Sequence, residues 1–172
     1  AVSVMIMVFG ESNAARSALS WTLGSFAGLR WGSTITLVVA TVPALIFGIA
    51  LCHVLDAFAF GDVSAMSLGV PVNTVRWAIM VSTALLTALS VAFAGPIGFV
   101  GLTVPHIVRF WTGPRHARLL PASALAGALL MAWSDTAARC LRPDTEIPVG
   151  VITAIVGAPV LVVLLRRQAS KS

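Results

Sequence analysis

The stretch GPIGFVGLTVPHIVRFW, Gly95 to Trp111, decides how the chain is read. Its aliphatic and aromatic residues suit a bilayer, yet three glycines, two prolines, a histidine and an arginine stand among them. Glycine and proline are tolerated in a membrane helix where neighbouring helices satisfy the backbone groups they free. An arginine near the end of such a segment can reach the headgroups by snorkelling. The stretch therefore reads as one short span inside a packed bundle.

Composition supports the same environment. Hydrophobic residues make up 58% of the 172, and charged residues only 10%, where a soluble domain carries about a quarter. Mean hydropathy is +0.98. Such a chain has too few polar residues to cover a surface facing water. Eleven Lys and Arg against six Asp and Glu give a modest basic excess. The cations sit between apolar runs and not along one face, which argues against nucleic acid and fits membrane orientation. Cys52 and Cys140 fall near opposite faces of a hydrocarbon core about 30 Å thick. A disulfide needs Cα atoms within about 7 Å, so both are expected to be packing residues.

The fold class expected is all-α: a polytopic transmembrane helical bundle of about five spans, the first partial, with short cytoplasmic helices. AVSVMIMVFG, residues 1–10, is too short to span and reads as the tail of a helix, so the chain reads as the C-terminal part of something longer. An outer loop is expected over 11–33, and spans over about 34–55, 77–93, 97–111, 121–138 and 149–165. The connector 61–76 is amphipathic and interrupted by Gly69-Val70-Pro71, which predicts two short helices joined by a bend. Clustered small residues (Gly98 and Gly101, then Ala122, Ala124, Ala126, Gly127 and Ala128) predict close helix packing. The basic tail with Arg166, Arg167 and Lys171, together with Arg115 and Arg118, orients the C-terminus to the cytoplasm. The connector 61–76 then lies inside, and the Gly95 turn and Arg139 to Glu146 lie outside.

Few residues suit chemistry. His53, His106 and His116 lack the HExxH, CxxC or paired spacing of a metal site, and structural roles are expected of them. Asp135 stands four residues before Arg139, which predicts an ion pair on one helix face at the membrane edge. An intramembrane enzyme built on His106 or Asp135 would need a second catalytic group at matching depth, and none is evident. No GxxxxGK[ST] phosphate loop occurs. Arg139, Arg142, Asp144 and Glu146 form a charged outer rim, which is either a solvated loop or a docking edge for a soluble partner.

Five motifs stand in order along the chain: LGV at Leu68, GPIGFVGLTVPHIVR at Gly95, LLPASALAGALL at Leu119, SDTAAR at Ser134 and EIPVGVITAIVGAPV at Glu146. From about Trp21 onward the chain resembles the FecCD-type permeases, membrane subunits of ATP-driven bacterial importers for iron-siderophores, haem and cobalamin. The resemblance implies the second half of a ten-span permease of the inner membrane. It also implies a homodimer or two paired halves, a cytoplasmic ATP-binding subunit and a periplasmic substrate-binding protein. No cofactor is expected on this chain, ATP and Mg being held by the partner ATPase. ATPase-coupling residues are implied at Gly61, Asp62, Ala65, Leu68, Gly69 and Pro71, and binding-protein docking at Arg139. Gly95, Pro96 and Gly98 are expected to turn the chain, Gly101 to permit close packing and Pro105 to bend the short span, together as a gating and packing element. The loop WTLGSFAGLRW, from Trp21, leans toward an iron chelate or haem over cobalamin. A non-transporting membrane fragment of the same family is the remaining alternative.

Overall fold

The computed structural model describes residues 21–26, 28–67, 69–141 and 147–169. The expected partial span at 1–10, residues 11–20 and 27 of the outer loop, Leu68, Arg142, Asp144, Glu146 and Lys171 lie outside the described residues. Among the described residues seven helices follow one another: α1 (Trp31–Ala50), α2 (Cys52–Phe58), α3 (Asp62–Ser67), α4 (Val72–Ala94), α5 (Val100–Thr112), α6 (His116–Leu141) and α7 (Val149–Ala169). Residues 21–23 are also helical, and no strand occurs among the described residues. The molecule is all-helical.

Three helices, α1, α4 and α6, are long and apolar enough to cross a membrane. Their 20, 23 and 26 residues extend about 30 Å or more at 1.5 Å per residue. Outward faces are apolar: Trp31, Ile35, Val39, Val42 and Ile46 make an exposed stripe on α1, and Leu125, Leu129 and Trp133 make one on α6. Stripes at helical spacing that face outward are the inverse of a water-soluble helix, and they match a hydrocarbon solvent. Hydroxyls in these helices are satisfied locally. Thr36, Ser82, Thr83, Thr87 and Thr136 each donate to the carbonyl four residues back, at 2.7–3.0 Å. Polar side chains that bond their own helix do not need water.

The helix ends differ from the expected spans, beyond them at α4 and α6 and short of them at the start of α5. Hydropathy marks the stretch that crosses hydrocarbon, whereas a helix continues through polar residues at the interface. Thus α4 starts at Val72 and α6 at His116, both before the apolar runs begin. The expected run 34–55 divides at Leu51, which separates α1 from α2. The connector holds one short helix, α3; its second half is the first turn of α4. Helix α5 has only 13 residues, about 20 Å, because Gly95 to Phe99 are not helical.

Two compact units divide the chain. One comprises Ala1–Leu29, Ser90–Thr103 and Gly127–Ser172; the other comprises Arg30–Leu89 and Val104–Ala126. The second holds a small core in which Ala57 of α2, Ala65 of α3 and Val72 of α4 are buried together, with Phe58 and Val70 packed against them. The first buries Ala94, Thr103, Ser134, Ala138, Val149 and Thr153.

Candidate functional site

The strongest non-spanning feature is the connector around α3. Gly61, with φ +96°, precedes the helix, and its carbonyl accepts the Ala65 N–H at 3.1 Å. At the other end Gly69, with φ +78°, donates to Met66 O at 2.9 Å, and Val70 donates to Ala65 O at 3.2 Å. These two bonds, with a left-handed glycine, make a Schellman cap that satisfies the last carbonyls. Ser64 and Ser67 hydroxyls bond Phe60 O and Ser64 O. Asp62 then accepts two bonds from Arg76 Nη2, at 2.9 and 2.8 Å, which fasten α3 to the first turn of α4.

A six-residue helix has little stability of its own. Here its caps, its buried Ala65 and the Asp62–Arg76 pair hold it, so its outward face is presented at a fixed angle. That surface carries Val63 and Met66, 78% and 56% exposed, with Phe60 of the preceding turn 81% exposed, beside the exposed polar Asp62 and Ser67. Of the residues expected to couple, Gly61, Asp62, Ala65, Gly69 and Pro71 belong to this element, while Leu68 lies outside the described residues. Ala65 is wholly buried and supports the element from beneath.

A second polar tie leaves the same region. Asp56 of α2 accepts the backbone N–H of His116 at 3.0 Å and its Nδ1–H at 2.6 Å, both on Oδ1. These bonds, the backbone one first, hold the Asp56 carboxyl below the usual carboxylate range, so it is ionised and can only accept. His116 is the first residue of α6, so the carboxylate stands at the positive end of a 26-residue helix. The sequence reading expected a structural role for His116 and did not single out Asp56. No local pattern signals a pair sixty positions apart.

The Gly95 region is built differently. Gly95, φ +74°, ends α4, and Ser25 N–H donates to Ala94 O at 2.9 Å. A methyl group on Gly95 would collide with the Trp21 carbonyl, and one on Gly24 would meet Ile97 and Pro96 O at 2.7 and 2.9 Å. Gly150 of α7 donates to Gly24 O at 3.3 Å, and a methyl there would strike the Leu23 carbonyl. Phe99 is held at φ +69°, with its side chain against Gly157. At Gly98 and Gly101, where close approach was expected, a methyl would meet no atom within 4 Å. Close contact falls instead on Gly24, Gly95, Gly150 and Gly157. Pro105 lies within α5 and denies the Gly101 carbonyl its usual intrahelical donor.

Arg139, at the end of α6, donates through Nε to Asp135 Oδ2 at 2.9 Å and keeps its side chain 67% exposed. An open groove of about 270 Å³ runs along α1, α4 and the start of α6, lined by Thr41, Phe47, Leu51, Ile79, Leu86 and Leu120 among others. No charged side chain lines it, so it suits hydrocarbon better than a charged chelate. Among the described residues no group of His, Cys, Asp or Glu is arranged to hold a metal ion.

Apolar-faced helices of spanning length, self-bonded hydroxyls and a capped helix between spans define a multi-pass helical membrane protein. The chain belongs to the FecCD transport family, whose model matches residues 1–167. It is 46% identical over 153 residues to the Fe(3+) dicitrate transport system permease protein FecD of Escherichia coli, covering 88% of this chain and 48% of that one. It is 40% identical over 168 residues to the vitamin B12 import system permease protein BtuC of Vibrio cholerae, covering 98% and 50%. Among solved structures, an inward-facing conformation of a metal-chelate type ABC transporter superposes with a TM-score of 0.85 at 32% identity, over 95% of this chain and 53% of that one. The chain spans about half the length of the curated relatives it matches.

Proposed function

We propose that the chain is part of the transmembrane subunit of an ATP-binding-cassette importer of the bacterial inner membrane, moving an iron chelate such as a siderophore or haem complex into the cytoplasm. The observation that carries this reading is the exposed apolar surface made by Phe60, in the turn before α3, with Val63 and Met66 on α3 itself, a helix capped at its C-terminus and pinned to α4. An exposed apolar patch on a rigid mount suits a protein partner, and the partner is a cytoplasmic ATP-binding subunit. Gly61, Asp62, Ala65, Leu68, Gly69 and Pro71 form the coupling element. Closure of the ATPase on ATP and Mg would displace it and drive alternating access. The C-terminus is cytoplasmic, the second permease copy or half completes the path, and a periplasmic binding protein docks at Arg139. Gly95, Pro96, Gly98, Gly101 and Pro105 belong to the outer gating segment.

The iron-chelate reading is supported by the 46% identity to the ferric dicitrate permease. Cobalamin is the second reading, because the BtuC relative aligns over 98% of the chain. Purification from native membranes in mild detergent, followed by mass spectrometry and proteoliposome uptake, tests both. An accompanying ATPase with ATP-dependent uptake of radiolabelled ferric citrate is the expected result. Uptake of cyanocobalamin alone would transfer the assignment to the second reading. A stable chain without an ATPase would overturn the importer reading and leave a non-transporting member of the family.

A further inference from the structure

The connector has two polar ties, and only one of them stays local. Asp62 and Arg76 join α3 to α4, the next helix in sequence. Asp56 reaches sixty residues along the chain to the first residue of α6. Its neighbour Ala57 packs in the buried cluster with Ala65 of α3. Two small, closely packed side chains have no flexible stem to absorb a displacement, so α2 moves with α3.

We propose that Asp56 and His116 are positioning residues that carry displacement of α3 through α2 into α6. This rests on the coupling role assigned above. One carboxylate oxygen holds both the backbone N–H and the imidazole N–H of His116, so the grip is on the helix end and not on a side chain alone. The Asp56 and His116 side chains are 37% and 26% exposed, whereas Asp62 and Arg76 are each 51% exposed, so water competes less for the long-range tie. Displacement of α3 thus reaches two spans, α4 through Arg76 and α6 through His116.

Cys140 supplies a probe on α6, since it is exposed while Cys52 is buried. The permease is taken from native membranes with its ATP-binding subunit and placed in lipid nanodiscs. ATP hydrolysis is then followed beside the rate at which an impermeant maleimide labels Cys140. The wild-type rate should change when ATP is added. Asp56→Ala should keep hydrolysis within about twofold and shrink that change roughly tenfold, within the usual range of coupling between sites. Asp56→Asn, which keeps an oxygen for the backbone N–H, should fall between. A merely structural role would lower assembly and hydrolysis together and leave the response per ATP unchanged.

An Asp56→Ala response equal to wild type overturns the inference, as does a wild-type complex that hydrolyses ATP with no change at Cys140. Should Asp56→Ala fail to assemble, His116→Ala decides, because it preserves the backbone bond; it should weaken the response, and an undiminished response overturns the proposal. If no ATP-binding subunit accompanies the wild-type protein, the proposed function fails first and takes this inference with it. That result is distinct from a working ATPase beside an unresponsive α6.

Discussion

The α3 connector and the Gly95 junction are both turns between helices, yet they hold by opposite means. Around α3 the work is done by side chains and caps: a bidentate Asp62–Arg76 pair, two serine hydroxyls, a Schellman bond and a small buried cluster. The glycines there need a left-handed backbone, but a methyl group on Gly61 or Gly69 would meet nothing within 4 Å. Around Gly95 no ion pair contributes among the described residues. Backbone lies directly on backbone, and Gly95 and Gly150 leave no room for a methyl group against the carbonyls of Trp21 and Leu23. The first region can be altered by small steps and can move as a unit; the second admits one geometry.

The largest effect should therefore come from one carbon atom. Gly150→Ala drives a methyl group into the Leu23 carbonyl, and neither partner is a flexible side chain. A loss of about 3 kcal/mol is expected, at the upper end of overpacking costs. The thermal unfolding midpoint of the detergent-solubilised protein measures it. Gly95→Ala meets the Trp21 carbonyl less closely than Gly150→Ala meets that of Leu23, and left-handed strain of about 1 kcal/mol brings its loss up toward the same size. A midpoint unchanged in both variants would mean that residues 21–24 can yield, and the contrast between the regions would collapse.

How much of this was legible depends on how local each cause is. Composition alone led to a helical membrane protein, because a chain with so few charges cannot present itself to water. The middles of the spans could be read for the same reason. Their ends could not: Asn73, Thr74 and Arg76 continue α4 without being apolar, and Gly98 and Phe99 delay α5. Gly69 was readable as a bend because a glycine two residues before a proline, as in Gly69-Val70-Pro71, signals one locally. The Asp56–His116 tie was not, since nothing near either residue names the other. Gly98 and Gly101 attracted attention by their spacing, yet the close approaches fall on Gly24, Gly150 and Gly157. Which face of a helix meets a neighbour is set by tertiary arrangement, and small-residue spacing alone does not encode it.

Smaller effects belong to the connector. Gly69→Ala should cost about 1 kcal/mol, the strain of a left-handed alanine with no collision added. Asp62→Ala should cost only about 0.5 kcal/mol, since both partners are half exposed and water screens them. Thermal midpoints in detergent should rank Gly150→Ala, Gly69→Ala and Asp62→Ala in that order. A loss at Asp62 as large as that at Gly150 would show the ion pair to be an organising contact and not a clasp.

The smallest effect is a pH response that should be absent where a buried acid would show one. Asp56 has its pKa lowered, so its contribution is present above the unfolded carboxylate value of about 3.9 and disappears only as pH falls through the lower folded value. The difference in thermal midpoint between wild type and Asp56→Asn should stay constant from about pH 8 to pH 5 and shrink only below about pH 4. A difference that fades by pH 6 would mean that the Asp56 carboxyl is raised and not lowered, and that the tie to α6 is weaker than its two bonds imply.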